Sequence, residues 1–125
     1  MVKKFLKDLK MIKEITAIIR TSKWAETLVK LEEIGVVGFT RQRIYGRGKQ
    51  RGLRYGAEGE ENRGISFLPK WMVTVVVEDS KVDVLLEALI KANRTGEIGD
   101  GKIFICSVTD SVRIRTNESE EFALN

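Results

Sequence analysis

Apolar and polar residues change their period several times along this chain, and each change marks an element. Ile15 to Arg20 alternates weakly and is rich in β-branched residues (Ile15, Thr16, Ile18, Ile19), which predicts a strand. Trp24, Leu28, Leu31 and Ile34 then recur at helical spacing. Ser22 stands where an N-cap belongs, and Gly35 where a helix stops. From Val36 to Tyr45 the period returns to two, which predicts a second strand. Val37, Phe39, Arg41 and Arg43 share one parity and Val36, Thr40 and Ile44 the other, so its surface is partly polar. A third strand opens at Phe67-Leu68-Pro69-Lys70 and runs through Trp71, Val73, Val75 and Val77. Ser80-x-x-Asp83 has the form of a capping box ahead of a strong helical stripe, Val82, Leu85, Leu86 and Leu89. Ile103 to Val108 reads as a fourth strand and Ser111 to Thr116 as a short fifth.

The order is β-α-β, long loop, β-α-β. That is the α+β, ferredoxin-like βαββαβ pattern: four antiparallel strands with two helices on one face. The other face carries Ile, Val and Trp, so an oligomer that covers it is expected. The loop between strands 2 and 3, residues 46–66, shows no period and holds six of the 11 glycines. Its first half is basic (Arg47, Lys49, Arg51, Arg54) and its middle acidic (Glu58, Glu60, Glu61). A loop that long in so small a domain tends to be functional. Residues 1–12 form a basic amphipathic extension, and 118–125 an acidic tail.

Composition narrows the function classes. At 125 residues the chain fits one domain. It has no His, which excludes an imidazole base, a Ser-His-Asp triad and His metal ligands. Its one Cys excludes an internal disulfide and a Cys-based zinc site. The longest apolar runs are too short to span a membrane, and the lysine-rich start lacks the apolar core of a signal peptide. These features predict a cytoplasmic location. A net charge of +4 permits an anionic partner without naming one.

Three basic motifs are candidates for anion binding. Gly96-x-x-x-x-Gly101-Lys102 matches the first part of a P-loop, but Ile103 follows where Ser or Thr would hold magnesium. The loop also runs helix-to-strand, the reverse of what a phosphate-facing helix N-terminus needs. It remains either an anion-binding nest or a plain turn. Gly46-Arg-Gly-Lys-Gln-Arg-Gly52 could read phosphates, nucleic acid or an acidic protein, or be a solvated loop. Arg113 and Arg115 would share one strand face, calling for an anion or for carboxylates of the chain's own tail. Cys106 lies in an apolar strand pattern with nothing to activate it and reads as core. Trp24 and Trp71 read as core too, and no exposed aromatic pattern on the strands favours RNA. No carboxylate pair stands out for acid–base work, so no catalytic residue is expected.

KEITAIIR, GRGKQRG before the long loop, FLPK after it, TGEIGDGKIF and VRIRT, in this order, resemble the PII signal-transduction family over about residues 13–117. The resemblance implies a trimer with ATP or ADP in the clefts between subunits. It also implies a long loop (the T-loop, 46–66) that changes shape with ligand and docks on a target, and a second loop (the B-loop, 95–102). Carried over residue by residue, the nucleotide site would take Ile18, Thr40 and Val76 at the adenine, with backbone from Gly99, Asp100, Gly101 and Lys102. Lys49, Lys102, Arg113 and Arg115 would meet the phosphates, the two arginines across a subunit boundary. Gln50 and Lys70 would bind 2-oxoglutarate, Gln50 also ligating Mg2+. Five cations would then converge on one polyanionic ligand set.

Some positions depart from the pattern. Gly56-Ala57-Glu58-Gly59 stands where many bacterial members carry GAEY, and Tyr55 is shifted from the uridylylated position. Ala57 fills the cyanobacterial phosphoserine position, so no modification is expected. Met72 and Thr74 replace a Lys and a Glu that often brace the loop. Within the family, GKQRGLRYGAEGEENRG and FLPKWM are most similar to the archaeal nitrogenase-associated NifI branch. That likeness implies paired paralogues that inhibit dinitrogenase until ATP with 2-oxoglutarate relieves them. The alternative is a GlnK-like regulator of an ammonium transporter. Neither reading involves nucleic acid, membrane insertion or enzymatic activity.

Overall fold

The computed structural model describes residues 11–47 and 67–118. Strand β1 is Ile12–Arg20, helix α1 Trp24–Glu33, and strand β2 Thr40–Gly46. Strand β3 is Leu68–Glu78, helix α2 Val82–Asn93, and strand β4 Lys102–Val108. The strands form one sheet in the order β2-β3-β1-β4, antiparallel throughout. This is the ferredoxin-like βαββαβ arrangement expected from the sequence.

Strand parity decides what is inside. Ile15, Ala17 and Ile19 of β1 and Val73, Val75 and Val77 of β3 point to one face, where they meet Leu31 of α1 and Val82, Leu85 and Leu89 of α2. Burying a side chain such as Leu31 or Leu85 contributes about 1.5–3 kcal/mol. A polar link ties the helices together within this apolar layer. Asn93 Nδ2 donates to Thr27 Oγ1 (3.0 Å) and to Leu89 O (2.9 Å), and Thr27 Oγ1 donates to Lys23 O (2.8 Å). Among the described residues no helix covers the opposite face of the sheet. That face presents Ile18, Met72, Thr74 and Val76, all half-buried, and Phe104, half exposed at 50%.

Several boundaries differ from the pattern-based reading. β1 starts at Ile12, three residues early, because Ile12 pairs with both Glu78 and Val108. Neither expected N-cap forms. A 3-10 turn, Thr21–Lys23, precedes α1 and another, Asp79–Lys81, precedes α2, so Ser22 and Ser80 sit inside these turns. The residues that flank the helices, Lys23 and Lys81, make no side-chain cap bond. Gly35 does end α1: its φ of +81° lets its N–H reach Glu32 O (3.0 Å) and that of Val36 reach Leu31 O (2.9 Å). β2 begins at Thr40 rather than Val36; Val36 and Phe39 pack on the core as connection instead.

Cys106, expected in the core, is exposed. It pairs in register with Glu14 and so faces away from the helices. The expected fifth strand is one bridge residue, Val112, followed by a turn over 114–116. That turn is closed by Asn117 N–H to Arg113 O and Arg113 N–H to Glu118 O, both 2.7 Å. Arg113 and Arg115 therefore do not share a strand face in this chain.

Candidate functional site

The end of β1, the start of β3 and the glycine loop before β4 meet at one corner of the sheet. Register places Arg20 beside Lys70, two cations on adjacent strands. Like charges in that position repel unless something lies between them. Here the loop fills that role. Arg20 Nη1 pairs with Asp100 Oδ1 at 2.7 Å and donates to Thr95 Oγ1 (3.2 Å), while its Nη2 donates to Ile98 O (2.8 Å). Lys70 Nζ donates to Gly99 O at 3.0 Å.

Asp100 organises the loop from within. Its Oδ2 accepts the backbone N–H groups of Thr95 (2.8 Å) and Gly96 (2.9 Å), and its Oδ1 accepts the Thr95 hydroxyl. The Thr95 hydroxyl and backbone bonds, opposed by partial burial and joined by Gly96 and Arg20, hold the carboxyl well below the usual carboxylate range. Lys70 is pulled below its ordinary value, first by burial and then by the charge of Arg20, with Asp100 opposing. An anion arriving beside Lys70 would reverse that balance and favour its charged form.

Gly101 joins the loop to β4 where only glycine fits. Its φ is +110°, and a Cβ there would lie 1.9 Å from the carbonyl oxygen of Ile18. That contact presses the loop onto β1 and sets Lys102, exposed, level with Ile18. Ile18, Asp100, Gly101 and Lys102 share the lining of a hollow of about 320 Å³ with Leu89 and Asn93 of α2, and Lys70 is not part of that lining.

The remaining candidates lie elsewhere. Val76 is four residues beyond Met72, the residue level with Ile18, which is about 13 Å along the sheet. It lines a separate hollow of about 160 Å³ with Val37, Gly38 and Lys81. Thr40 opens β2 opposite Thr74, on the same open face as Val76. Arg113 and Arg115 follow β4, whose far end, Val108, pairs with Ile12 rather than with the loop corner. One chain therefore brings Ile18, Lys70 and 99–102 together and leaves Thr40, Val76, Arg113 and Arg115 apart from them. Lys49, Gln50, the Tyr55 and Ala57 positions and the loop tip lie outside the described residues. Met72 and Thr74, the two departures after FLPK, lie half-buried on the open face.

Arg20 and Thr95 were missed by sequence reasoning. Arg20 ends a strand with no pattern of its own; only the pairing with Lys70 and the return of the loop 80 residues later give it a role. Among the described residues no group of three carboxylate, Cys or His side chains could hold a metal ion, and no helix is long and apolar enough to cross a membrane.

Comparison with known proteins agrees with this architecture. The model of the family described as nitrogen regulatory protein P-II matches residues 12–118. "Nitrogen fixation nifHD region GlnB-like protein 2" of Methanothermobacter marburgensis is 42% identical over 121 residues, covering 90% of this chain and all of that one. "Nitrogen regulatory protein P-II 2" of Methanothermobacter thermautotrophicus is 45% identical over 113 residues, covering 90% and 97%. Among solved structures, Arabidopsis thaliana PII bound to citrate superposes with a TM-score of 0.72 at 31% identity, covering 90% of this chain and 92% of that one.

Proposed function

This chain belongs to the nitrogen regulatory protein P-II family, and from that premise we propose that it is a non-enzymatic, cytoplasmic sensor of ATP or ADP and 2-oxoglutarate. Residues 46–66 form its switching loop, 95–102 its nucleotide loop, and 13–117 the domain that carries both. The observation that carries this reading is the basic corner where Lys70 meets the pinned glycine loop beside Ile18 and Lys102. It offers cations and backbone groups to a polyanion. The citrate held by the Arabidopsis relative, a polycarboxylate, is chemically akin to 2-oxoglutarate.

The division of the candidate residues supports sites shared between subunits. Ile18, Lys49 and Gly99–Lys102 would come from one chain; Thr40, Val76, Arg113 and Arg115 would come from its neighbour in a trimer, of this chain alone or with a paralogue. Mg2+ suits such a site without a dedicated cage, because it is held by phosphate oxygens and few protein ligands. Gln50 would supply the protein's share. A ligand shifts the loop only by its differential affinity for the two loop states, so 2-oxoglutarate must contact a group coupled to the loop. Lys70 sits two residues after β3 leaves that segment.

The names of the archaeal relatives favour a nitrogenase target: dinitrogenase would be inhibited until ATP with 2-oxoglutarate releases it. Calorimetry tests the sensor. Lys70→Ala and Gln50→Ala should weaken 2-oxoglutarate binding in the presence of Mg-ATP by about tenfold or more while changing ATP binding alone much less. Equal loss of both ligands would overturn these roles. A pull-down with and without Mg-ATP and 2-oxoglutarate tests the target; ligand-dependent capture of an ammonium transporter instead of dinitrogenase would replace it.

A further inference from the structure

The helix side of β2 carries a second charged surface, on the opposite face of the sheet from Lys70. Arg43 pairs with Trp71 and Arg41 with Val73, so both arginines stand on the helix-covered parity, and both are exposed. The Arg41 guanidinium lies 4.5 Å from the ring centre of Trp24 and 3.9 Å from that of Trp71; Arg43 lies 5.4 Å from Trp71. Trp24 in turn tilts against Phe39 at 5.8 Å and Trp71 at 6.3 Å. Tyr45, 66% exposed, continues the same row. Among the described residues no carboxylate pairs with Arg41 or Arg43, whereas Arg20, Lys23, Lys30 and Lys91 all have one.

A guanidinium stacked on a ring is held by its face and keeps its N–H donors at its rim. Those rims match carboxylates in the two-bond geometry that arginine favours. Stacking also fixes the side chains before anything binds, which lowers the ordering cost of association. Arg41 already lies over both tryptophan rings, which leaves Tyr45 as the exposed ring of the row, so a nucleic acid is one arm of the test below.

We propose that this surface docks an acidic segment of a target protein, with Arg41 and Arg43 each receiving a carboxylate. It adjoins the point where β2 enters the 46–66 segment and β3 leaves it, so it extends the contact assigned to the switching loop. In that respect the inference rests on the functional reading above.

Both tryptophans of the chain belong to this cluster, so intrinsic emission reports on it. The full-length protein is titrated with capped hexaglutamate, capped hexalysine and a thymidine hexanucleotide. Hexaglutamate should give a saturable change in emission, weakened about tenfold or more by Arg41→Gln and by Arg43→Gln, with no response to the other two probes. No response to hexaglutamate, or one that both variants leave unchanged, overturns the inference. A response to the oligonucleotide alone places nucleic acid there, and a response only after removal of residues 119–125 places the chain's own acidic tail there; either outcome overturns it. Arg43→Gln leaves the closer Arg41 stack in place, so it separates lost docking from lost packing. ATP calorimetry on the same samples distinguishes the two readings. Nucleotide binding without a peptide response removes only the docking surface, and a peptide response without nucleotide binding removes only the sensor.

Discussion

Asp100 holds the glycine loop by accepting from Thr95 and Gly96 at one oxygen while pairing with Arg20 through the other, and only its charged form offers both oxygens as acceptors. Its carboxyl is depressed below the ordinary value, so its contribution to loop order is fully present above the unfolded value of about pH 3.9. That contribution is lost as pH falls through the lower folded value. The Thr95 and Gly96 amide resonances should therefore hold their positions through pH 4 and move only well below it, a change that Asp100→Asn should abolish. An NMR inflection at about pH 3.9 or above would contradict this account. Asp100 stands in the sequence only as part of a glycine-rich segment likened to a nucleotide loop. That its carboxylate binds the loop itself follows from where Arg20 and Thr95 are brought.

At the scale of elements, the join between the loop and β4 is the least tolerant point. Alanine at Gly101 would suffer both an unfavourable φ and a clash with the Ile18 carbonyl, which belongs to a central strand and cannot swing aside. Strain of this kind costs about 1–3 kcal/mol before the clash is added. Gly101→Ala should lower the thermal midpoint and, under the proposed sensor role, weaken ATP binding with it, whereas Gly96→Ala, with nothing within 4 Å of its Cβ, should carry only the cost of its own φ. Thermal melts of the two variants compare these costs; equal midpoints would refute the close-contact argument. Strands β1 and β3 and the two helices were legible because each buries a single face, and the periods of two and 3.6 record that. Cys106 was misread because β4 is apolar on both parities, Ile103 and Ile105 on one and Phe104 and Cys106 on the other, so pattern alone could not say which side the helices cover. The Ser22 and Ser80 caps were misread because 3-10 turns shift each helix start beyond the serine.

For the whole molecule, the separation of Ile18 and 99–102 from Thr40, Val76, Arg113 and Arg115 makes a further claim testable. If Lys102 and Arg113 serve one nucleotide from two chains, Lys102→Ala and Arg113→Ala proteins should each bind ATP weakly. Mixed, unfolded and refolded together, they should regain about a quarter of full-affinity sites, since a head-to-tail interface can unite one chain's intact Lys102 with another's intact Arg113. Calorimetry showing no recovery would return both residues to a single chain's site. The sequence by itself determined the order and type of the four strands and two helices, the absence of imidazole chemistry and the two segments rich in glycine and charge, because local period and composition fix these without distant partners. Only the tertiary structure decided that Arg20 and Lys70 share a corner, that Gly101 presses on Ile18, that Cys106 faces outward and that Arg41 stacks between two tryptophans. Each of these is a contact between segments far apart in the chain, set by strand register and by the face the helices cover, and neither is written in the residues one at a time.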